Sequence, residues 1–300
     1  MTRRQVLAGF AAVGLTAVTG CASKQKADTP TAAADESVDP AFVDLEKRFD
    51  GVLGLTAIDL RTGSTIRHRA STRFAMCSTF KVYAVAAVLG RSDRGELDLA
   101  TSIPVAPVDV VANSPVTADR AGTDMTLADL CAAALINSDN TAGNLLLREI
   151  GGPSAITEFA RTVGDAVTRL DRWETDLNTA IPGDERDTTT AEALTTGFLK
   201  VLTGDVLSVA SRDRLENWMR SNVTSAKRIR AGLPAEWTSA DKTGGGDYGA
   251  TNDAGLLTGP AGQRVMITIL TRTATNRRES DPLNDLIAAT TAAALDRLGH

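Results

Sequence analysis

The chain has 300 residues, of which 43% are hydrophobic and 23% are charged, and its formal net charge is −5. This balance is typical of a globular protein with a sizeable buried core, and it excludes a wholly disordered chain. Because no basic run is present, the composition does not favour a nucleic-acid-binding protein.

The first predicted element is an export signal at residues 1–21. Arg3 and Arg4 precede an uncharged stretch over residues 6–20. A basic start followed by a short apolar run is typical of a cleaved signal peptide, and the run is too short to span a membrane comfortably. The paired arginines resemble a twin-arginine export signal.

The end of this segment resembles a lipobox, Val18-Thr19-Gly20-Cys21, in which Cys21 is lipidated and becomes the mature N-terminus. The alternative is an ordinary signal peptide with an incidental cysteine. Residues 22–39 carry almost no bulky apolar side chains, which predicts a disordered tether. We therefore expect an exported protein, either lipid-anchored at the outer face of the cell membrane or secreted.

Helix and strand patterns begin after the tether. In chain order the sequence predicts a helix at Asp39–Phe49, strands at Val52–Leu60 and Thr65–Ala70, a mainly helical block over about 77–220, strands at Trp237–Thr243, Ala254–Thr258 and Arg264–Thr271, and a last helix at Asp281–Leu298 that starts with Asp281-Pro282.

These elements predict one α/β (α+β) domain over residues 40–298. Residues 40–76 and 221–298 are expected to form a five-stranded antiparallel sheet with flanking helices. Residues 77–220 are expected to form an inserted all-helical lobe. A cleft between two such lobes is a natural ligand site.

Histidine and cysteine are scarce in the chain. His68 and His300 are the only histidines, so a Ser-His-Asp triad has few candidates and a histidine-based metal site lacks ligands. Any catalytic base is expected to be another residue type, and no metal or cofactor is expected. Cys77 and Cys131 are predicted to be free buried thiols, although an oxidising compartment permits a disulfide.

The first motif that can carry chemistry is Ser78-x-x-Lys81. Two residues three apart on a helix share one face, and a lysine with a lowered pKa can activate a serine hydroxyl. The motif alone is weak, because a helix start with a solvated lysine is the commoner explanation. The motif is stronger evidence for a catalytic pair in this chain, because only 7 of the 32 basic residues are lysines and arginine cannot serve as a base.

Two further motifs lie later in the chain. In Ser138-Asp139-Asn140 the serine can pass on a proton and the amide of Asn140 can bind a carbonyl, although such a triplet is more often a helix cap. In Lys242-Thr243-Gly244-Gly245-Gly246 the first two residues can hold a carboxylate, and Gly244 and Gly245 let a substrate approach a strand edge. The alternative for this motif is a hairpin turn.

A polar loop supplies the fourth motif. Glu174 and Asn178 can together hold a water molecule, with Glu174 as general base. Arg172 and Asp187 can pair across the neck of the loop. The alternative is a charged surface loop.

In this order the four motifs resemble those of the class A serine β-lactamases, which share the first three kinds with penicillin-binding proteins. The resemblance covers about residues 40–298. It includes two longer strings, Ser138-Asp-Asn-Thr-Ala-Gly-Asn-Leu-Leu-Leu147 and Asp184-Glu-Arg-Asp-Thr-Thr189.

The resemblance implies hydrolysis of a β-lactam by a monomer, with a role for each motif residue. Ser78 would form the acyl-enzyme after activation by Lys81 or by Glu174 through a water, and the backbone N–H groups of Ser78 and Gly245 would form the oxyanion hole. The remaining roles would be proton delivery to the lactam nitrogen by Ser138, binding of the acylamino side chain by Asn140, binding of the carboxylate by Lys242 and Thr243, and activation of the deacylating water by Glu174 with Asn178.

Several positions depart from common members of the family. Thr251 stands where many members carry a carboxylate-binding arginine, and Arg228 lies where some members place a substitute. Asn113 replaces a frequent aromatic gate. Thr175 follows Glu174 in place of proline, at a link that is often cis. Cys77 has no cysteine partner after the Lys-Thr-Gly motif.

Two other functions remain possible from the sequence. A penicillin-binding protein that acts as a D-alanyl-D-alanine peptidase shares the cleft motifs but normally lacks the deacylating glutamate. A non-catalytic lipoprotein that binds β-lactams or cell-wall peptides is the second. The loop with Glu174 and Asn178 favours the hydrolase over both.

Overall fold

The computed structural model of the chain describes residues 38–300. The predicted export signal, Cys21 and nearly all of the predicted tether lie outside these residues. No helix within residues 38–300 is long and apolar enough to cross a membrane.

Eight α-helices and nine strands are present in the described part of the chain. In order they are α1 (Pro40–Arg48), β1 (Gly51–Asp59), β2 (Thr65–His68), β3 (Arg73–Ala75), α2 (Phe80–Asp93), β4 (Ser102–Pro104), β5 (Asp124–Thr126), α3 (Leu127–Ile136), α4 (Asn140–Ile150), α5 (Ser154–Thr162), β6 (Thr188–Thr190), α6 (Ala191–Thr203), α7 (Val209–Arg220), β7 (Thr238–Gly245), β8 (Thr251–Thr258), β9 (Arg264–Thr273) and α8 (Asn284–Arg297).

The five long strands form one antiparallel sheet in the order β2-β1-β9-β8-β7. This confirms the predicted fold class and all five predicted strands. Strand β7 lies at the edge of the sheet, with Thr243 opposite Asp253 and Gly245 opposite Thr251 on β8. The Lys-Thr-Gly motif therefore ends an edge strand whose outer side is open to a ligand.

The helices cover the sheet through two apolar cores. One lies under α1 and α8 and includes Phe42 and Leu286. The other joins the sheet to α2 and the remaining helices, and it buries α2 from Phe80 to Gly90. Because α2 is enclosed on all sides, the residues at its N-terminus have a fixed position.

The middle of the chain is mainly helical, but it is not the all-helical lobe predicted for it, because the short strands β4 and β5 pair within it. It also contributes to the sheet region. Helix α6 lies within residues 77–220, yet Thr195 Oγ1 donates to Thr268 Oγ1 on β9 at 2.8 Å. The short strand β6 pairs with β3. The exact boundaries of the two lobes stay a prediction.

The predicted start of the last helix at Asp281-Pro282 is wrong. Helix α8 begins at Asn284, after Leu283. The N–H of Leu283 donates to Thr251 Oγ1 at 2.9 Å, so the preceding residues lie against the sheet before the helix starts.

Candidate active site

Ser78 and Lys81 meet at the N-terminus of α2. Ser78 lies in a 3₁₀ turn, Cys77–Thr79, that runs directly into the helix, and Cys77 has a φ of 45°. Lys81 Nζ donates to Ser78 Oγ at 2.9 Å. The three-residue spacing therefore places both side chains on one face, as predicted.

Lys81 is fully buried and surrounded by oxygen atoms. Its Nζ donates to Ser138 O at 2.9 Å and to Asn140 Oδ1 at 2.7 Å, and it lies 3.0 Å from Glu174 Oε1. Burial lowers the pKa of Lys81, whereas the charge of Glu174 opposes this shift. The ammonium group thus connects three of the four motifs.

Gly143 makes room for this lysine. A Cβ at position 143 would lie 2.9 Å from Lys81 Cε, closer than side-chain carbons approach. Only glycine leaves the stem of Lys81 in its present path between α2 and α4.

The Ser138-Asp139-Asn140 motif is both a helix cap and a source of polar groups for the cleft. Asp139 is the N-cap of α4, and its carboxylate accepts from Ala142 N and from Thr117 N, each at 2.9 Å. Asn140 donates through Nδ2 to Ala112 O at 2.9 Å, which orients Oδ1 towards Lys81. The middle residue therefore caps the helix while its two neighbours face the cleft.

Glu174 is held beside the serine by its side chain and by its backbone. Ser78 Oγ donates to Glu174 Oε1 at 3.3 Å, and Asn178 Nδ2 donates to Glu174 Oε2 at 2.5 Å. Asn144 on α4 accepts from Glu174 N at 2.9 Å and donates to Glu174 O at 3.0 Å. The peptide between Glu174 and Thr175 is cis.

The loop that carries Glu174 is closed at its neck. Arg172 Nε and Asp187 Oδ2 are 2.5 Å apart, which confirms the predicted pair. Arg172 Nη1 also donates to Thr179 Oγ1 at 2.8 Å inside the loop. Asp187 is fully buried, so this pair ties the loop to the body of the protein.

Strand β7 brings the second lysine to the cleft. Lys242 Nζ donates to Ser138 Oγ at 2.9 Å and to Thr243 O at 2.8 Å. Burial, together with the positive charge of Lys81, lowers the pKa of Lys242 well below its usual value. Thr243 Oγ1 lies 2.5 Å from Thr224 Oγ1.

Arg228 reaches the same end of β7. Its Nη1 donates to Gly244 O at 2.7 Å and to Asn252 O at 2.9 Å, and its Nε donates to Asn284 Oδ1 at 2.9 Å. Its Nη2 would lie 3.8 Å from a Cβ at Gly245. The hydroxyl of Thr251 is instead engaged with Leu283 N and Gly249 O.

These groups surround a cleft of about 760 Å³. Asn113, with a φ of 60°, is among its lining residues. The predicted site residues that line the cleft are Ser78, Ser138, Asn140, Asn178, Arg228, Thr243, Gly244 and Gly245. Three buried residues lie directly behind this lining and contact it: Lys81 and Glu174 contact Ser78, and Lys242 contacts Ser138.

The two remaining cysteines play no visible part in this cleft. Cys77 and Cys131 are free and buried, which confirms the prediction. Burial raises the pKa of Cys77 to about 12, so its thiol is neutral near pH 7.

Comparison with known proteins identifies the family. A model of the family described as "Beta-lactamase enzyme family" matches residues 37–298. This chain is a member of that family. The β-lactamase AST-1 of Nocardia asteroides is 43% identical over 99% of this chain and 96% of its own length. A β-lactamase of Streptomyces lavendulae is 46% identical over 85% of this chain and 84% of its own.

Solved structures of β-lactamases have the same fold as this chain. An ancestral class A β-lactamase is 45% identical, with a TM-score of 0.82 over 86% of this chain and 98% of its own. A β-lactamase of Desulfarculus baarsii is 43% identical, with a TM-score of 0.84 over 88% of this chain and 100% of its own. The resemblance to class A serine β-lactamases is thereby confirmed.

Sequence reasoning missed several residues that support this β-lactamase site. Asn144 lies four residues after Asn140, so helical spacing would have placed it on the same face of α4. Thr224 and Gly143 had no comparable signal, because their roles depend on contacts with distant parts of the chain.

Proposed function

We propose that this β-lactamase opens the β-lactam ring by attack of Ser78 and releases the product with water activated by Glu174. One observation carries the proposal: Glu174 Oε1 lies within 3.3 Å of Ser78 Oγ while its Oε2 is held by Asn178. A carboxylate in hydrogen-bond reach of a nucleophile can remove its proton and later activate a water on the same atom.

We infer that Glu174, rather than Lys81, takes the first proton, and the contacts of Lys81 support this choice. Lys81 Nζ lies close to three oxygens that can only accept, Ser138 O, Asn140 Oδ1 and the Glu174 carboxylate, and this supports an ammonium ion beside Ser78 Oγ. The Ser78 hydroxyl then donates to Glu174, directly or through a water. Lys81 stabilises the alkoxide that forms when the proton leaves.

The remaining motif residues bind the substrate and complete ring opening. The Ser138 hydroxyl accepts from Lys242, which leaves its own proton free for the lactam nitrogen. Thr243, Lys242 and Arg228 attract the substrate carboxylate, and Asn140 binds the acylamino side chain. Gly244 and Gly245 allow close approach to β7, and the N–H groups of Ser78 and Gly245 receive the oxyanion.

The fate of the acyl group separates this proposal from a penicillin-binding protein. Such a protein retains the drug on its serine because it has no base for water. Here Asn144 holds both sides of the Glu174 backbone, so the carboxylate is fixed beside the position where a deacylating water must stand. This arrangement favours turnover over trapping.

Hydrolysis of nitrocefin by soluble residues 38–300 tests the proposal. We expect multiple turnovers by the wild type and none by Ser78→Ala. The matched control is Ser64→Ala, in an exposed turn, which should keep full activity. One covalent equivalent without turnover would indicate a penicillin-binding protein, and binding without any covalent adduct would indicate a non-catalytic lipoprotein.

We further propose that the protein acts outside the cell as a monomer. The support is the signal at residues 1–21, with its Arg3-Arg4 pair, and the lipobox that ends at Cys21. Lipidation of Cys21 would hold the catalytic domain at the outer face of the cell membrane through the predicted tether.

A further inference from the structure

We propose that Asp253 is a positioning residue that holds Arg228 in place for the carboxylate of the substrate. The inference rests on the proposed function, in which Arg228 binds that carboxylate. Asp253 does not line the cleft itself; it acts through the turn that carries the arginine.

Asp253 lies on β8, directly opposite Thr243 of the Lys-Thr-Gly motif, and it is fully buried. Its Oδ2 accepts from Ser225 Oγ at 2.6 Å and from Ile229 N at 3.2 Å. One carboxylate oxygen therefore accepts hydrogen bonds from the chain on both sides of Arg228.

The segment between these two contacts, residues 225–229, is a closed turn. Arg228 N donates to Ser225 O at 2.9 Å, so the residues between the two contacts with Asp253 are bound to each other as well. The residue before this turn, Thr224, contacts Thr243. Movement of the turn away from β8 would displace both Arg228 and Thr224, which line the cleft.

Arg228 depends on this support because its own hydrogen bonds are all to neutral groups. Within residues 38–300 it forms no salt bridge; its guanidinium donates only to two backbone carbonyls and to the Asn284 amide. Its positive charge is therefore available to a substrate carboxylate, but the side chain is not anchored by an ion pair of its own.

The chemistry of Asp253 is unusual for a purely structural residue. Its Oδ1 is buried and has no hydrogen-bond partner among the described residues. By contrast, the carboxylate of Asp241 on β7 accepts from Asn222 and Arg230. Burial and the nearby Asp241 raise the pKa of Asp253 to about 7. A half-satisfied buried carboxyl destabilises a fold, so its position under the turn points to a role in the site.

The decisive experiment compares Asp253→Ala with Asp253→Asn on benzylpenicillin and on its methyl ester. Asparagine keeps an oxygen that can accept from Ser225 and Ile229, whereas alanine does not. We expect Asp253→Ala to raise KM for the acid about tenfold with kcat within about twofold, the loss of one hydrogen-bonded support. Asp253→Asn should stay within about threefold of wild type.

The ester and a second background separate positioning from general damage. Because the ester has no carboxylate, its KM should not change in Asp253→Ala. In an Arg228→Ala background, Asp253→Ala should raise KM for the acid less than it does alone, because only the contact of Thr224 with Thr243 is left to disturb. Should Asp253→Ala fold poorly, Ser225→Ala removes one of the two contacts and should shift KM in the same direction.

Three results would overturn the inference: an unchanged KM for the acid, an equal rise for acid and ester, or additive effects of the Asp253 and Arg228 substitutions. Failure of the proposed function would look different, because the wild type would then hydrolyse neither the acid nor the ester.

Discussion

Lys81 and Glu174 form a completely buried ion pair, with 3.0 Å between Nζ and Oε1. Each charge is stable at this depth because the other is present, and removal of one partner from such a pair costs about 3–5 kcal/mol. In the proposed mechanism the pair therefore couples the group that stabilises the nucleophile to the group that activates water. We expect substitution at either position to affect both steps of the reaction.

Glu174→Ala should trap the acyl-enzyme. The variant retains Ser78 but has no carboxylate for either proton transfer. Acylation should therefore slow, and release, which depends on an activated water, should slow further, by about 10²- to 10⁴-fold. Intact-protein mass spectrometry after addition of benzylpenicillin should show a persistent mass increase. Glu158→Ala, on the exposed side of α5, is the control and should show no adduct. Rapid complete turnover by Glu174→Ala would contradict the role given to this residue.

Arg172→Ala should slow deacylation more than acylation. It removes the pair with Asp187 and the contact with Thr179, and both hold the loop that presents Glu174. We expect kcat to fall about tenfold or more, since a misplaced base loses its alignment with the acyl group. Rapid-quench kinetics should show a burst followed by slow turnover.

The control for the loop is Arg94→Ala. Arg94 pairs with Glu96 at 2.6 Å, but both side chains are exposed and lie after the end of α2, outside the loop. Such a pair contributes little, so kcat should remain close to wild type. Equal losses in the two variants would show that general destabilisation, rather than the neck, causes the effect.

The stability of the protein should depend on the ionisation of Asp253. Its folded pKa is about 7, against 3.8 for the free side chain, because of burial and the negative charge of Asp241. The positive charge of Arg228 and the hydrogen bonds from Ser225 and Ile229 act in the opposite direction and lower this pKa. The folded state holds the proton more tightly, so this stabilisation is complete below pH 3.8 and is lost as the pH rises through 7.

Asp253→Asn has no such proton to lose. The wild type should therefore lose stability relative to Asp253→Asn between pH 5 and pH 8, as measured by urea unfolding at each pH. The control is Asp119→Asn, at an exposed position; its free energy of unfolding should follow that of the wild type at every pH. Parallel curves for the wild type and Asp253→Asn would show that Asp253 does not titrate in this range.

Cys21→Ala should release the protein from the membrane fraction. If the lipobox is processed, the substituted protein lacks its acyl anchor, and its signal peptide alone does not retain it. Immunoblots of membrane and soluble fractions give the measurement. Cys131→Ala, in the buried core, is the control because it leaves the lipobox intact. Unchanged membrane attachment of Cys21→Ala would reject lipidation at this residue.

Much of the fold was predictable because its signals are local. Apolar runs bounded by turn residues indicated all five strands of the sheet, and Pro40 after Asp39 indicated the start of α1, where the Asp39 side chain accepts from Ala41 N. The start of α8 was misjudged because Asp281-Pro282 is a good local signal that a contact between Thr251 and Leu283 overrides.

The sequence by itself determined the chemistry of this protein, because Ser78, Lys81, Glu174 and the other motif residues have reactive groups that no packing can supply. Only the tertiary structure decided how these groups act together. Lys81 contacts side chains up to 93 positions away, and Asn144, Thr224 and Asp253 gain their roles solely from such distant contacts. Spacing along a chain reports neighbours within a helix or strand, whereas proton transfer and charge pairing depend on distances that arise only when separate elements pack.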